Sequence, residues 1–123
     1  MKINYNPADF EPVRLIALQF PGAEDSTSHE NTPSIKVRGK LMTRLHDNGL
    51  FIPIRLDFPL VDRYLESHPE LFHVPDHFKG YPYICMWIRR VDKKLLTEIL
   101  EQSWRGLASK KQIAEWEKIE KVR

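Results

Sequence analysis

Between Thr32 and Leu45, apolar and cationic residues alternate along the chain. Ile35, Val37, Leu41 and Leu45 fall on odd positions, and Lys36, Arg38, Lys40 and Arg44 on even ones. Successive side chains of an extended chain point to opposite faces, so the pattern predicts one buried face and one basic face. Asp47-Asn48-Gly49 follows, a hairpin signal, because a type I′ turn favours Asn-Gly at its two positive-φ positions. With Asn48-Gly49 at the tip, Leu45 faces Ile52, Thr43 faces Ile54 and Leu41 faces Leu56 on the core side. Met42, Arg44, His46, Phe51, Pro53 and Arg55 then share the opposite side. Gly39 is expected to bend the chain within an odd-length loop, Arg38 to Lys40, that keeps Val37 and Leu41 on one face.

Helical periodicity brackets these strands. Asp9 to Gln19 reads as a helix with Asp9 as cap and Pro12 inside its first turn, stopped by Phe20-Pro21-Gly22. Ala23 to Ser34 is polar and turn-rich, which suits either a loop or an edge strand. Pro59 to Ser67 is a short helix carrying Leu60, Val61, Tyr64 and Leu65, and Leu71 to Val74 a brief strand. Tyr83 to Arg89 alternates as a strand, with Ile84, Met86 and Ile88 on one side and Tyr83, Cys85, Trp87 and Arg89 on the other. Asp92 caps a helix with the stripe Leu95, Leu96, Ile99, Leu100 and Trp104, which Gly106 interrupts; Ser109 caps a last helix bearing Ile113, Trp116 and Ile119. Strands and helices that are segregated along the chain predict an α+β fold and not a doubly wound parallel sheet.

The 123 residues suffice for one domain spanning 1–123, with a real core. Formal charge is only +2, but Ser34 to Arg55 carries five Lys/Arg against one Asp, a local +4 that leaves −2 for the remainder. Any anion-binding surface is therefore expected in that segment. Cys85 is the single cysteine, so no intrachain disulfide forms. With no apolar run of signal-peptide or membrane-spanning length, the expectation is a cytoplasmic protein with no membrane association.

Lys36, Arg38, Lys40 and Arg44, with Arg55 across the hairpin, form the candidate nucleic-acid-binding set. Phe51, Tyr83, Trp87 and Arg89 lie on the same predicted side, as stacking groups for single strands or as a partner surface. The same alternation also describes an ordinary solvated strand face. His73 and His77 have the spacing of two ligands on a helix, but Pro75 between them opposes a helix, so no metal site is expected. Cys85 sits mid-strand among apolar neighbours, as an inert core thiol does. No phosphate loop, nucleophile elbow or paired-carboxylate motif is present, so neither enzymatic activity nor a cofactor is expected.

The order of motifs resembles the MmcQ/YjbR family over nearly the whole chain. It is carried by Phe20-Pro21-Gly22-Ala23-Glu24-Asp25-Ser26, Ile35 to Leu41, Asp76-His77-Phe78-Lys79-Gly80-Tyr81-Pro82-Tyr83, and Glu101-Gln102-Ser103-Trp104 before Ala108-Ser109-Lys110-Lys111. Ile35 stands where the family usually has an aromatic residue, and Ser109 where it often has proline. The resemblance implies a single-domain, two-layer CyaY/frataxin-like fold, an antiparallel sheet packed against N- and C-terminal helices. It also implies a DNA-binding role through a double-wing arrangement of hairpins, without catalytic residues. Weak, largely non-specific DNA binding through the basic hairpin is thus the first expectation. The alternative is a protein-interaction module using the same sheet face, as a homodimer or with another protein. A small-ligand pocket near Tyr81-Pro82-Tyr83 is a third reading, suggested by composition alone.

Overall fold

A computed structural model describes residues 4–122. Residues 1–3 and residue 123 lie outside the described residues. Six strands form one antiparallel sheet: β1 (Ala23–Thr27), β2 (Pro33–Val37), β3 (Lys40–Arg44), β4 (Phe51–Arg55), β5 (Phe72–His73) and β6 (Tyr83–Trp87), in the order β1-β2-β3-β4-β6-β5. Among the described residues four α-helices complete the fold: α1 (Glu11–Ala17), α2 (Phe58–Ser67), α3 (Lys93–Leu107) and α4 (Lys110–Val122). The polar segment after Gly22 is the edge strand β1. Charge on that edge and the two-residue length of β5 at the other leave little sheet edge to recruit another chain.

One face of the sheet packs against α1 and α3. Ile35, Val37, Ile52, Ile54, Ile84 and Met86 meet Val13, Ile16, Leu96, Ile99, Leu100 and Trp104 in one buried core. The aromatic residues at the domain's turning points join it: Trp104 stacks on Phe20 at 5.4 Å, and Trp116 of α4 meets both rings. The Trp104 indole N–H donates to the Pro21 carbonyl at 2.8 Å, satisfying the polar edge of a fully buried ring. Gly22, at φ 80°, lets the chain turn away from this cluster beside the Gln112 side chain, where a Cβ would collide.

Caps follow the sequence in two cases of three. Asp92 accepts from the Leu95 amide, and Ser109 with Gln112 forms a reciprocal capping box that starts α4. Asp9 caps nothing. The first helical segment begins one turn earlier as a 3-10 turn, Pro7–Phe10, with the Asn6 side chain accepting from the Ala8 amide. Gly106 does not interrupt α3, because it lies on the exposed side of the last turn and the helix ends at Leu107.

The β3–β4 hairpin has the predicted register, Thr43 opposite Ile54. Its turn is different. Gly49 has φ 72° but Asn48 is not at positive φ; the Gly49 amide donates to His46 and the Leu50 amide to the Asn48 side chain. A four-residue loop, Asp47 to Leu50, replaces the two-residue type I′ turn, and because both are even in length the register survives. Pro53 thins this ladder. The Phe51 carbonyl accepts from the His46 amide, so by alternation the missing N–H of Pro53 is on the β3 side. The Thr43 hydroxyl instead donates to the Pro53 carbonyl at 2.8 Å.

The type I′ turn occurs one hairpin earlier. Arg38 (φ 54°) and Gly39 (φ 77°) connect Val37 directly to Lys40, in place of the odd-length loop expected from the alternation. Two residues is the turn length that matches strand twist, but it leaves the parity of β3 wrong for its pairing with β4. A register shift repairs it: Lys36 pairs with Leu41 and Ile35 with Thr43, so Met42 is an extra, bulged residue. Met42 therefore enters the core and Leu41 leaves it, the reverse of the sequence expectation.

Candidate functional site

The bulge also divides the basic row. Paired residues share a side of the sheet, so Lys36 stands with Leu41 and Arg44 on the face away from α1 and α3. Lys40 shares the side of Val37. Arg38 belongs to the turn, where its guanidinium reaches the Leu107 carbonyl at the end of α3 (3.4 Å). Arg55 pairs with Tyr83 at the end of β4. By strand register three of the five predicted basic residues fall on one face, Lys36, Arg44 and Arg55, although Arg55, at the strand end, also lines a crevice against Gln102, Ser103 and Gly106 of α3. Glu24 is the cross-strand neighbour of Lys36 on β1.

That face is partly covered. The segment from Val74 to Pro82 crosses it and inserts Phe78, which forms a second, small apolar cluster with Phe51 and Cys85. After a 3-10 turn, Asp76–Phe78, Lys79 (φ −62°, ψ 133°) and Gly80 (φ 85°) make a type II turn closed by the Tyr81 amide donating to Phe78. This turn projects Tyr81 into solvent, 62% exposed. The carboxylate of Asp76 is held by Lys79 at 2.8 Å, so the covering segment adds little net charge to the face.

Phe51, Tyr83 and Trp87 lie on the predicted side of the sheet, but Phe51 and Trp87 are covered there and Arg89 is elsewhere. Phe51 is buried among His46, His73, Phe78 and Trp87, and is not available to a base. Trp87 is half-buried with one face against the His73 ring, centroids 3.8 Å apart and 9° from parallel. Arg89 does not share the face at all, because β6 ends at Trp87 and the 3-10 turn Ile88–Arg90 carries it towards Asn48 and Leu50. Tyr83 is half-buried on the open side.

Beside the inserted Phe78 lies a pocket of about 350 Å3. Its sides are Leu41, Pro53, Phe78 and Tyr83, with His77 and Tyr81 at the exposed lip. Arg44 completes the lining and is only 8% exposed. Among the described residues no carboxylate comes within ion-pair distance of its guanidinium, and its hydrogen bond to the Leu45 carbonyl is long, 3.4 Å. Burial pushes the guanidinium below its ordinary pKa, tempered by the charge of Asp47. The Asp47 carboxylate itself contacts His46 Nδ1 at 3.0 Å. Sequence reasoning pointed to the neighbourhood through Tyr81-Pro82-Tyr83 but missed Leu41, Pro53, His77 and Phe78. Only the strand order β4-β6-β5 and the bulge at Met42 bring these together.

Burial disfavours the charged forms of the titratable groups nearby. Burial pushes the Cys85 thiol up to about 12 and holds His46 and His73 below the ordinary imidazole value. A thiol in this state is a poor nucleophile. Among the described residues no three His, Cys, Asp or Glu side chains are grouped to hold a metal ion, and no helix is long and apolar enough to cross a membrane.

No family model and no curated protein sequence matches the chain. Among solved structures it is similar to Deinococcus radiodurans protein DR2400, whose domain is DUF419, with a TM-score of 0.62. DUF419 is the MmcQ/YjbR family. The fold is that of an MmcQ/YjbR protein. The match covers 75% of this chain and 72% of DR2400 at 16% identity, so what the two proteins demonstrably share is architecture: the α+β arrangement of an antiparallel sheet with N- and C-terminal helices. The MmcQ/YjbR resemblance drawn from the sequence motifs thus agrees with an independent comparison of shape.

Proposed function

We propose that this protein acts without catalysis, by binding single-stranded nucleic acid weakly and without sequence preference through the partly open sheet face. The supporting observation is Arg44, a nine-tenths-buried cation beside aromatic rings and without an ion-pair partner among the described residues. A buried charge is costly unless paired, and an arriving phosphate would supply the missing partner in the forked geometry a guanidinium favours. Lys36 and Arg55 extend the positive charge on the same face, and Tyr81 and Tyr83 offer rings to unpaired bases. The recess explains the choice of single strands, because stacked and paired bases cannot enter it.

Three phosphate contacts, at about 0.7 counterion each, predict a log–log salt slope near −2 for a single strand. Fluorescence anisotropy of a short labelled oligonucleotide, between about 50 and about 200 mM salt, measures it. Binding with that slope, weaker for duplex and abolished by Lys36→Glu with Arg55→Glu, is the expected result. Equal binding of the double variant, or none by the wild type at low salt, refutes the proposal.

The competing use of this face is protein association. Tyr81 is the observation that favours it, a large aromatic side chain mostly in solvent. Sedimentation velocity over a range of concentrations, with Tyr81→Ala as control, separates the two uses.

A further inference from the structure

The Arg44 pocket differs from a simple phosphate-tracking groove, because its cation is recessed and its mouth is aromatic. Lys36 and Arg55 can follow an extended backbone, whereas the recessed Arg44 guanidinium behind tyrosine and phenylalanine rings also suits one compact group that brings its own flat body. We propose that this pocket binds an aromatic anion: a planar ring held between Tyr81, Tyr83 and Phe78, with a phosphate or carboxylate on the Arg44 guanidinium. The proposal shares its location with the strand-binding reading but does not depend on it.

Four features carry it. The volume, about 350 Å3, is at the small end of the range for small-molecule sites. Arg44 is 8% exposed and has at most one long hydrogen bond to the Leu45 carbonyl, so most of its donors await an acceptor. Leu41 and Pro53 make the remaining sides apolar, which favours a ring over a bare inorganic ion. Lastly, neither nearby acidic group is within ion-pair distance of Arg44: Asp76 is held by Lys79, and Asp47, which contacts His46, acts on the guanidinium only from further off.

The ring-bearing anion has two sources, a nucleotide or a free aromatic acid. Both present the same chemistry to the pocket, and the test distinguishes them. The full chain is titrated with phenyl phosphate, phenol and inorganic phosphate, followed by heteronuclear NMR and calorimetry. Saturable binding of phenyl phosphate is expected, with phenol and inorganic phosphate each weaker by about tenfold or more, since each lacks half of the recognition. Shifts should centre on Arg44, Tyr81 and Tyr83. Arg44→Gln should weaken phenyl phosphate by about tenfold or more, and Tyr81→Ala, an exposed change that leaves the core untouched, by a smaller factor. Competition by AMP assigns the site to nucleotides, and competition by benzoate alone assigns it to aromatic acids; either supports the class. The proposal is overturned if phenyl phosphate does not saturate, if inorganic phosphate binds as well, or if both variants bind like wild type. Oligonucleotide anisotropy, run separately, reports on strand binding whatever the small molecules do.

Discussion

Replacing Arg44 with methionine should make the free protein more stable while destroying its anion binding. The side chain is 8% exposed, has no carboxylate within ion-pair distance among the described residues, and makes one long hydrogen bond. Methionine fills a similar volume, keeps the apolar contacts of the stem with Leu41 and Pro53, and removes the charge that burial penalises. Exchanging a buried ion pair for apolar residues of similar volume is often neutral or gains up to about 4 kcal/mol, and an unpaired cation lacks even the attraction of a pair. Asp47 tempers the penalty from a distance, and some solvent reaches the guanidinium, so a gain of about 1–3 kcal/mol is expected here. For a chain of 123 residues this raises Tm by about 4–12 °C. Urea titration read by tryptophan fluorescence, beside a calorimetric scan, measures both quantities. A stabilised variant that no longer binds phenyl phosphate or oligonucleotide would show stability given up for a site. Destabilisation by more than about 1 kcal/mol would mean instead that Arg44 is already satisfied without a ligand.

Three further outcomes follow from the geometry. Arg38→Asn should stabilise by about 0.5–1 kcal/mol in the same urea assay, because asparagine tolerates the left-handed conformation that Arg38 occupies at φ 54°; a loss would mean the 3.4 Å bond to Leu107 matters more than the turn. His46 and His73 are held below the imidazole value of 6.5, so the unfolded chain takes up their protons first as pH falls. Stability should therefore be full above pH 6.5 and decline below it, by at most about 1.4 kcal/mol per pH unit for each histidine, and His73→Phe should flatten the profile. Cys85, buried and with its thiol pushed up to about 12, should resist thiol reagents in the native protein near pH 8 and react in denaturant; prompt native labelling would contradict its placement.

Local rules carried the sequence reading a long way where turn and apolar pattern agreed. Asp47-Asn48-Gly49 and the row Ile52, Ile54, Leu56 gave the β3–β4 register, although the turn conformation itself differs. Asp92 and Ser109 marked their helix starts because a cap is a local hydrogen bond. The basic row failed for a reason that alternation cannot express. A two-residue turn at Arg38-Gly39 and the fixed register of Thr43 can coexist only through a bulge, which exchanges the faces of Leu41 and Met42 and separates Lys40 from Lys36 and Arg44. The pocket was illegible for a different reason. Leu41, Arg44 and Pro53 lie in one hairpin, but Phe78 and Tyr81 arrive only because β5 and β6 place the intervening segment across the sheet. Trp87 and Phe51 have the composition of a stacking surface, yet they are occupied by His73 and His46.

Backbone amide mapping shows whether nucleic acid binds at the Lys36–Arg44–Tyr83 face. An unlabelled single-stranded oligonucleotide is titrated into isotopically labelled protein at low salt, and amide shifts are followed by residue. The shifts should concentrate on Lys36, Leu41, Arg44, Arg55 and the Gly80 to Tyr83 segment, and fade as salt is raised. Shifts centred instead on the apolar groove between α1 and α3, around exposed Leu15, or the absence of any shift, would contradict binding at this face.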